Sequence, residues 1–272
     1  MEIIVPLRHG GDFPSCWKNF HDRKWDKLCD PESKLNLEIV REFNVNAMPS
    51  NDGHFEFKTW VRGKEISFSR SKINQYLALP STFADDELYE YHDILARKAW
   101  EFEYAKNKLC LSGHSYELTI GGRPQKFLRS SLKTKAQFLM EVVLYNIRPH
   151  SHTSSIPVEI CGLLACILEG NTVDVGRLIA NELKKVSLSG TSLGDRTSCQ
   201  LSYPGLIMGL RKKSQVTIPS VGHQVIKGVI DDTFIAMYCV LRYETPAVPV
   251  VPVVAAPPSG FEYSWDMHEV HQ

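Results

Sequence analysis

Apolar residues recur at helical spacing in three consecutive segments between residues 128 and 187, and this is the strongest pattern in the chain. It predicts helices from about Leu132 to Pro149, from Ser154 to Gly170, and from Val173 to Val186. Serines at 130–131 and at 154–155 are expected to cap the first two helices. In the third, Asp174 is expected to face outward. The short connections favour antiparallel neighbours packed side by side.

Weaker helical patterns flank this centre on both sides. The Val225–Arg242 segment is apolar throughout and fits a helix, although its β-branched residues leave a strand open. The other helices are predicted over residues 15–29, from Pro31 to about Asn46, from Ser69 to Pro80, from Asp85 to about Lys106, and from Ser202 to Lys213.

Two segments alternate apolar and polar residues and predict β-hairpins. The first joins residues 55–59 to residues 66–68 around Arg62, Gly63 and Lys64. The second joins residues 116–120 to 125–128 around a two-glycine turn. The predicted fold class is therefore mainly α, a bundle-like body with one or two small β-hairpins.

The chain of 272 residues divides into three regions by composition. Residues 1–14 are expected to form a loose N-terminus, and residues 15–243 a single, mainly helical domain. Residues 244–272 begin with a stretch rich in proline and valine, which is typical of a disordered tail.

Composition narrows the classes of function. The chain holds 31 basic and 31 acidic residues, whereas a dedicated polyanion binder is normally more basic. No apolar run approaches the ~18 residues of a membrane helix, and no signal peptide pattern is present. We therefore expect an intracellular protein of the cytoplasm or nucleus, with no membrane partner. Seven scattered cysteines fit reduced thiols better than a disulfide framework.

The sequence contains no motif for catalysis, for a cofactor or for a metal. The histidine pairs lack metal-ligand spacing, and no phosphate-binding glycine loop or nucleophile elbow is present. Small clusters of cations are most simply solvated helix ends, although a composite nucleic-acid surface is the alternative. These candidate nucleic-acid residues are Arg129, Lys133, Lys135, Lys184, Lys185, Arg211, Lys212 and Lys213.

Three ordered blocks carry a family resemblance: residues 60–66 with residues 73–77, then residues 148–154, then residues 163–176. Together they resemble the putative plant transposon protein domain, over roughly residues 38–243. The resemblance implies an origin in a plant mobile element, and it supplies no catalytic residue. No zinc knuckle, protease, integrase or polymerase signature accompanies these blocks.

The resulting hypothesis is a mobile-element-derived plant protein without enzymatic activity and without a small-molecule ligand. Three alternatives stay open: a capsid-like structural protein that self-associates, a nucleic-acid-binding module, and a degenerate transposase or nuclease. The expected partners are accordingly a second copy of the chain or weakly bound nucleic acid.

Overall fold

The computed structural model describes residues 2–47, 56–79, 88–96, 102–150, 154–189, 202–217 and 223–239. Helices dominate these ranges. The short strands pair antiparallel into two two-stranded sheets and one three-stranded sheet. The helices are α1 (Pro14–Asp22), α2 (Asp26–Cys29), α3 (Leu37–Asn46), α4 (Arg70–Leu77), α5 (Glu90–Ala96), α6 (Phe102–Leu109), α7 (Thr134–Val142), α8 (Val158–Glu169), α9 (Val175–Ser189), α10 (Pro204–Lys213) and α11 (Asp232–Tyr238). The strands are β1 (Lys34–Asn36), β2 (Lys58–Val61), β3 (Lys64–Ser67), β4 (Glu117–Leu118), β5 (Pro124–Leu128), β6 (Ser155–Pro157) and β7 (His223–Val225).

The three central helices are confirmed as α7, α8 and α9. Helix α7 continues as a π-helical turn over Val143–Ile147, so the apolar segment stays helical nearly to the predicted end. Every residue of α8 from Ile160 to Ile167 is buried, because α8 contacts helices α6 and α7 and strand β5. Gly170 ends α8 at a φ of 94°, a left-handed conformation that glycine adopts without strain.

The predicted serine caps of these helices are wrong. Ser155 begins strand β6, which pairs with β5, and α8 follows with Pro157 at its cap position. Ser131 belongs to a short 3₁₀ turn, and Lys133 precedes α7 without a side-chain cap. A serine before a helix therefore marked a strand in one case and a turn in the other.

Residues 2–5 are packed against the core, which corrects the expectation of a loose N-terminus for this part of residues 1–14, whereas residues 8–12 are mostly exposed. Ile3 and Val5 are buried, and Ile4 forms a parallel bridge with Val229. The buried amide of Asn146 accepts a bond from the N–H of Ile3 and donates to the carbonyls of Ile3 and Leu28, at 2.9 Å each. The N-terminal segment is thus held in place by hydrogen bonds between its backbone and the side chain of Asn146.

The single helix predicted over residues 15–29 is two helices, α1 and α2. They are separated at Lys24, whose φ of 57° is left-handed and incompatible with a continuous helix. The break turns Trp25 and Leu28 into the core, where both are buried. The helix predicted after Pro31 is confirmed as α3, but Asn36 caps it through bonds from the N–H groups of residues 38 and 39.

Both predicted hairpins are present. In the first, β2 pairs with β3 through a two-residue turn in which Arg62 and Gly63 have φ values of 49° and 74°, as a type I′ turn requires. The second, β4 with β5, gains β6 as a third strand in the order β4-β5-β6. The pairing of β1 with β7 was not predicted, because three-residue strands leave no readable alternation.

The apolar segment from Val225 to Arg242 contains both a strand end and a helix. Residues 223–225 form β7, and Asp231 then caps α11 by accepting the N–H of Phe234 at 2.8 Å. Ile226 and Ile230 are buried, but they lie in the non-helical segment between β7 and α11. Their assignment to a helix was therefore wrong.

Part of the predicted helix from Asp85 to Lys106 is seen as α5 and α6, while residues 80–87 and 97–101 lie outside the described residues. The predicted tail, residues 244–272, also lies outside them. The six described cysteines are free and buried. Among the described helices, none combines the length and apolar character needed to cross a bilayer.

Leu164 is fully buried at the centre of α8. We expect Leu164→Ala to lower the free energy of unfolding by about 2–5 kcal/mol, through lost transfer energy and a residual cavity. Met237→Ala, in the exposed part of α11, is the matched control and should change it by less than about 0.5 kcal/mol. Denaturant titration followed by circular dichroism measures both. Similar midpoints for the two variants would contradict this packing.

Candidate functional site

A cluster of buried polar and charged groups lies where α4 meets the start of α9, and we call it the polar joint: Arg70, Asn74, Asp174, Gly176 and Arg177. The Asp174 side chain is fully buried, although an outward position was predicted for it. Its carboxylate pairs with the guanidinium of Arg70 and lies 3.6 Å from Nε of Arg177. It also accepts bonds of 3.0 Å from the amide of Asn74 and from the N–H of Arg177.

The polar joint leaves no room for a side chain at Gly176. The N–H of Gly176 donates to Oδ1 of Asn74 at 3.0 Å, so α9 approaches α4 closely. A Cβ atom at this position would lie 2.3 Å from Oδ1 of Asn74 and 2.7 Å from the carbonyl oxygen of Arg70. Gly176 is therefore required by the close approach of two helices.

A cleft of about 350 Å³ opens beside the polar joint, between the α1–α2 connection and the 170–174 loop. Its wall includes Trp25, Tyr89 and Asp174. Arg23 at its edge donates to the carbonyls of Ile167 and Asn171, at 2.7 and 2.9 Å, and so satisfies the end of α8. The charged groups here hold segments of the fold to each other, which makes the cleft wall rigid.

His92 is the imidazole nearest to this cluster, and it is poorly suited to acid–base chemistry. Burial lowers its pKa to about 4, with the charges of Arg177 and Arg70 acting in the same direction and that of Asp174 opposing them. Neither ring nitrogen has a hydrogen-bond partner. A neutral imidazole without a partner has no group to orient it for proton transfer.

Burial also raises the pKa of the described thiols, to about 11 for Cys16 and Cys110 and further still for Cys161, which disfavours the nucleophilic thiolate. Within the described ranges, no three His, Cys, Asp or Glu side chains gather to hold a metal ion. The paired carboxylates at residues 231 and 232 instead begin α11.

The predicted nucleic-acid cations divide among three parts of the fold. In the first group, Arg129 pairs with the buried carboxylate of Glu141, and Lys133 donates to the carbonyl of Asn107 at 2.8 Å. Lys135 is half-buried on α7. The contacts of these side chains mainly stabilise the packing around α7.

The second group lies on α9. The ammonium of Lys184 is 5.7 Å from the ring centre of Phe57, and Lys185 donates to Glu182 at 2.8 Å. Both contacts are intramolecular, which reduces what these cations offer to a ligand.

The third group ends α10. Arg211 donates to a backbone carbonyl just beyond its own helix at 2.6 Å, and Lys212 lies 3.4 Å from Glu32. Lys213 donates to the carbonyl of Gln75 at 3.3 Å. The three groups contact different elements, and whether any of them binds nucleic acid stays a prediction.

An apolar surface with a charged rim lies on the first hairpin and α3, and we call it the tryptophan face: Val45, Lys58, Trp60, Arg62 and Glu65. Trp60 is 53% exposed and Val45 67% exposed. Asn46, next to Val45, donates to the carbonyl of Trp60 at 2.7 Å, so the two apolar side chains belong to adjoining segments.

The charges around the tryptophan face are fixed by ion pairs. Lys58 pairs with Glu56 and lies 3.8 Å from Glu65, which stands opposite Trp60 in the strand register. Arg62 lies 3.1 Å from Glu42 and 3.5 Å from Glu38. An aromatic centre with a paired polar rim is the usual anatomy of a protein interface.

Comparison with known proteins identifies the origin of this fold. The family described as "Putative plant retrotransposon-related domain" matches residues 21–217, most of the chain. The chain belongs to this family. The retrotransposon-related domain is therefore derived from a plant mobile element, which confirms the resemblance found in the sequence. No curated protein and no solved structure matches the chain.

Two of the three blocks that carried the resemblance contribute to the tryptophan face and the polar joint. Residues 60–66 form the hairpin of the tryptophan face. Residues 73–77 and 163–176 supply Asn74, Asp174 and Gly176 to the polar joint. Sequence reasoning missed this joint because its partners are about 100 residues apart, although an aspartate shortly before an apolar helix is a readable capping signal.

Gly176→Ala is expected to destabilise the retrotransposon-related domain by about 1–3 kcal/mol or more, because its methyl group would overlap Asn74 and a backbone oxygen that cannot move away. Gly10→Ala is the matched control, since no atom lies within 4 Å of the added methyl group there. Thermal and urea unfolding compare the two. A melting temperature for Gly176→Ala equal to that of the control would show that α4 and α9 are further apart than described.

Two buried groups are expected to make stability depend on pH in opposite directions. Burial raises the pKa of Glu2 from 4.5 to about 7, so its contribution is present below pH 4.5 and is lost as the pH rises through 7. His92 has its pKa lowered from 6.5 to about 4, so its contribution is present above pH 6.5 and is lost as the pH falls through 4.

The single variants separate these contributions. Relative to the parent chain, Glu2→Gln should gain stability as the pH rises from 4.5 to about 7, and His92→Gln should gain it as the pH falls from 6.5 to about 4. Unfolding free energies measured across this range test both slopes. Parallel pH profiles for the parent chain and either variant would contradict the corresponding assignment.

Proposed function

We propose that the retrotransposon-related domain is a non-enzymatic structural module that associates with a second copy of itself through the tryptophan face. The observation that carries the proposal is the half-exposed Trp60 at the centre of an ion-paired rim. Leaving an indole in water costs hydrophobic free energy, and tryptophan is among the residues that contribute most to binding at interfaces.

Charge supports a second copy as the partner. A two-fold interface brings the same patch together from both subunits, so the patch must complement itself. The rim pairs its cations, Lys58 and Arg62, with carboxylates, Glu42 and Glu65, and therefore presents no excess charge that a second copy would repel. The chain as a whole has a formal net charge of zero, so long-range repulsion between copies is weak.

Two other functions receive less support from the described residues. Most of the candidate nucleic-acid cations have intramolecular partners, which favours weak and salt-sensitive binding at most. The histidine and thiols described above are neutral at physiological pH, which disfavours a nucleophilic or acid–base reaction.

Sedimentation velocity or light scattering across a wide concentration range tests the proposal. We expect the parent chain to shift from monomer to dimer as its concentration rises. Trp60→Glu should weaken this association by at least about thirtyfold, since an interfacial hot spot is worth ~2 kcal/mol or more. Its spectra should still be those of the folded chain, because Trp60 lies outside the buried core.

Leu118→Glu is the matched control. Leu118 lies on a hairpin strand and is 54% exposed, close to the exposure of Trp60, but belongs to the other hairpin. It should associate like the parent chain. A parent chain that stays monomeric at every concentration, or an equal effect of the two substitutions, would overturn the proposal.

A further inference from the structure

Helices α2 and α10 bring two lysines to the same aromatic ring. The ammonium of Lys27 lies 4.4 Å from the ring centre of Tyr76, and that of Lys213 lies 5.7 Å from it. Tyr76 itself is held in place because its hydroxyl fills the space where Gly209 of α10 lacks a side chain. The two cations are thus positioned by a buried, rigid ring.

Like charge is concentrated at this ring. Burial lowers the pKa of Lys27, and the nearby charge of Lys213 lowers it further. No ion pair of Lys27 or Lys213 with a carboxylate is found in the described part of the chain. Two ammonium groups that lie against one ring repel each other, and a bound anion would relieve that repulsion.

The space for such an anion is a recess of about 490 Å³, which we call the lysine recess. Its lining consists of Lys27, Asp30, Pro31, Glu32, Ser33, Tyr76, Gly209, Lys212 and Lys213. Its lining cations outnumber its carboxylates by three to two. Glu32 is already paired with Lys212 at 3.4 Å, which leaves Lys27 and Lys213 with the single carboxylate of Asp30 and an excess of one positive charge.

We propose that the lysine recess binds a phosphate group, held between the ammonium groups of Lys27 and Lys213. A phosphate monoester carries nearly two negative charges and three acceptor oxygens, so it can accept hydrogen bonds from both lysines at once. A single carboxylate carries half that charge. The hydroxyl of Ser33, in the lining, is a further donor for a phosphate oxygen.

This site goes beyond both the proposed self-association and the cations singled out in the sequence. Lys212 and Lys213 were candidates as a run of basic residues, and such a run at a helix end is explained by the helix dipole alone. Lys27 comes from a different helix, and no dipole of α10 accounts for its position. The convergence of Lys27 and Lys213 on one ring is what distinguishes a site from a solvated helix end.

Three probes distinguish the sources of phosphate: inorganic phosphate, adenosine monophosphate, and a short single-stranded oligonucleotide with a 5′-phosphate. Binding is followed by NMR shifts of the lysine side chains and by calorimetry. We expect saturable binding of at least one probe, weakening as salt is added. Inorganic phosphate alone would indicate a free-anion site, tighter adenosine monophosphate a nucleotide site, and a tighter oligonucleotide a strand-end site. Each of these results supports the proposal.

Lys27→Gln and Lys213→Gln should each weaken the binding by about tenfold or more, as expected for the loss of one charge-assisted hydrogen bond. Lys18→Gln is the matched control, because that lysine is exposed, lies on the surface of α1 and pairs with Asp22 at 2.8 Å, away from the recess. It should bind like the parent chain.

Both tested lysines are exposed, so the variants are expected to stay folded, which circular dichroism verifies. The proposal is overturned if none of the three probes binds, or if the control substitution weakens binding as much as the two in the recess. Because Trp60 is absent from this recess, failure here leaves the association experiment unaffected.

Discussion

The buried carboxylate of Asp174 is the constraint on which the central packing depends. A carboxylate removed from water is costly unless it is paired and hydrogen-bonded, and here the guanidinium of Arg70, the amide of Asn74 and the N–H of Arg177 supply that compensation. These donors come from α4 and from the first turn of α9. The two helices must therefore stay in contact, and only glycine fits at position 176 between them.

A second buried polar side chain, Asn146, holds the N-terminal segment against the central helices. Asn146 lies in the π-helical turn after α7, where the wider turn changes the direction of the side chains. Its amide binds both backbone groups of Ile3, and Glu2 then accepts the N–H groups of Gly205 and Leu206 at the start of α10. One segment thus joins the central helices to α10, whose end carries Lys213.

Sequence patterns predicted a helix or turn correctly where the local residues alone determine its structure. The periodicity of α8, the turn at Arg62 and Gly63, and the proline that opens α10 are local signals, and each predicted its element. Several of the failures involve distant partners. Strand β6 forms because β5 is beside it, and Asp174 is buried because Arg70 meets it. The same holds for Lys27 and Lys213, since only the fold brings α2 and α10 to one ring.

The two proposed surfaces lie on elements that touch, so the proposed self-association bears on the proposed phosphate binding. Lys64, on the strand beside Trp60, donates to the carbonyl of Gln215 at 2.6 Å, just beyond the end of α10. A two-fold assembly through the tryptophan face would therefore carry one lysine recess on each copy, both fixed to the interface. Two weak phosphate sites on one rigid body bind a chain of phosphates more tightly than either alone, because the second contact is intramolecular. The affinity for a chain of phosphates would then depend on the assembly of two copies, and not on a basic surface of one copy.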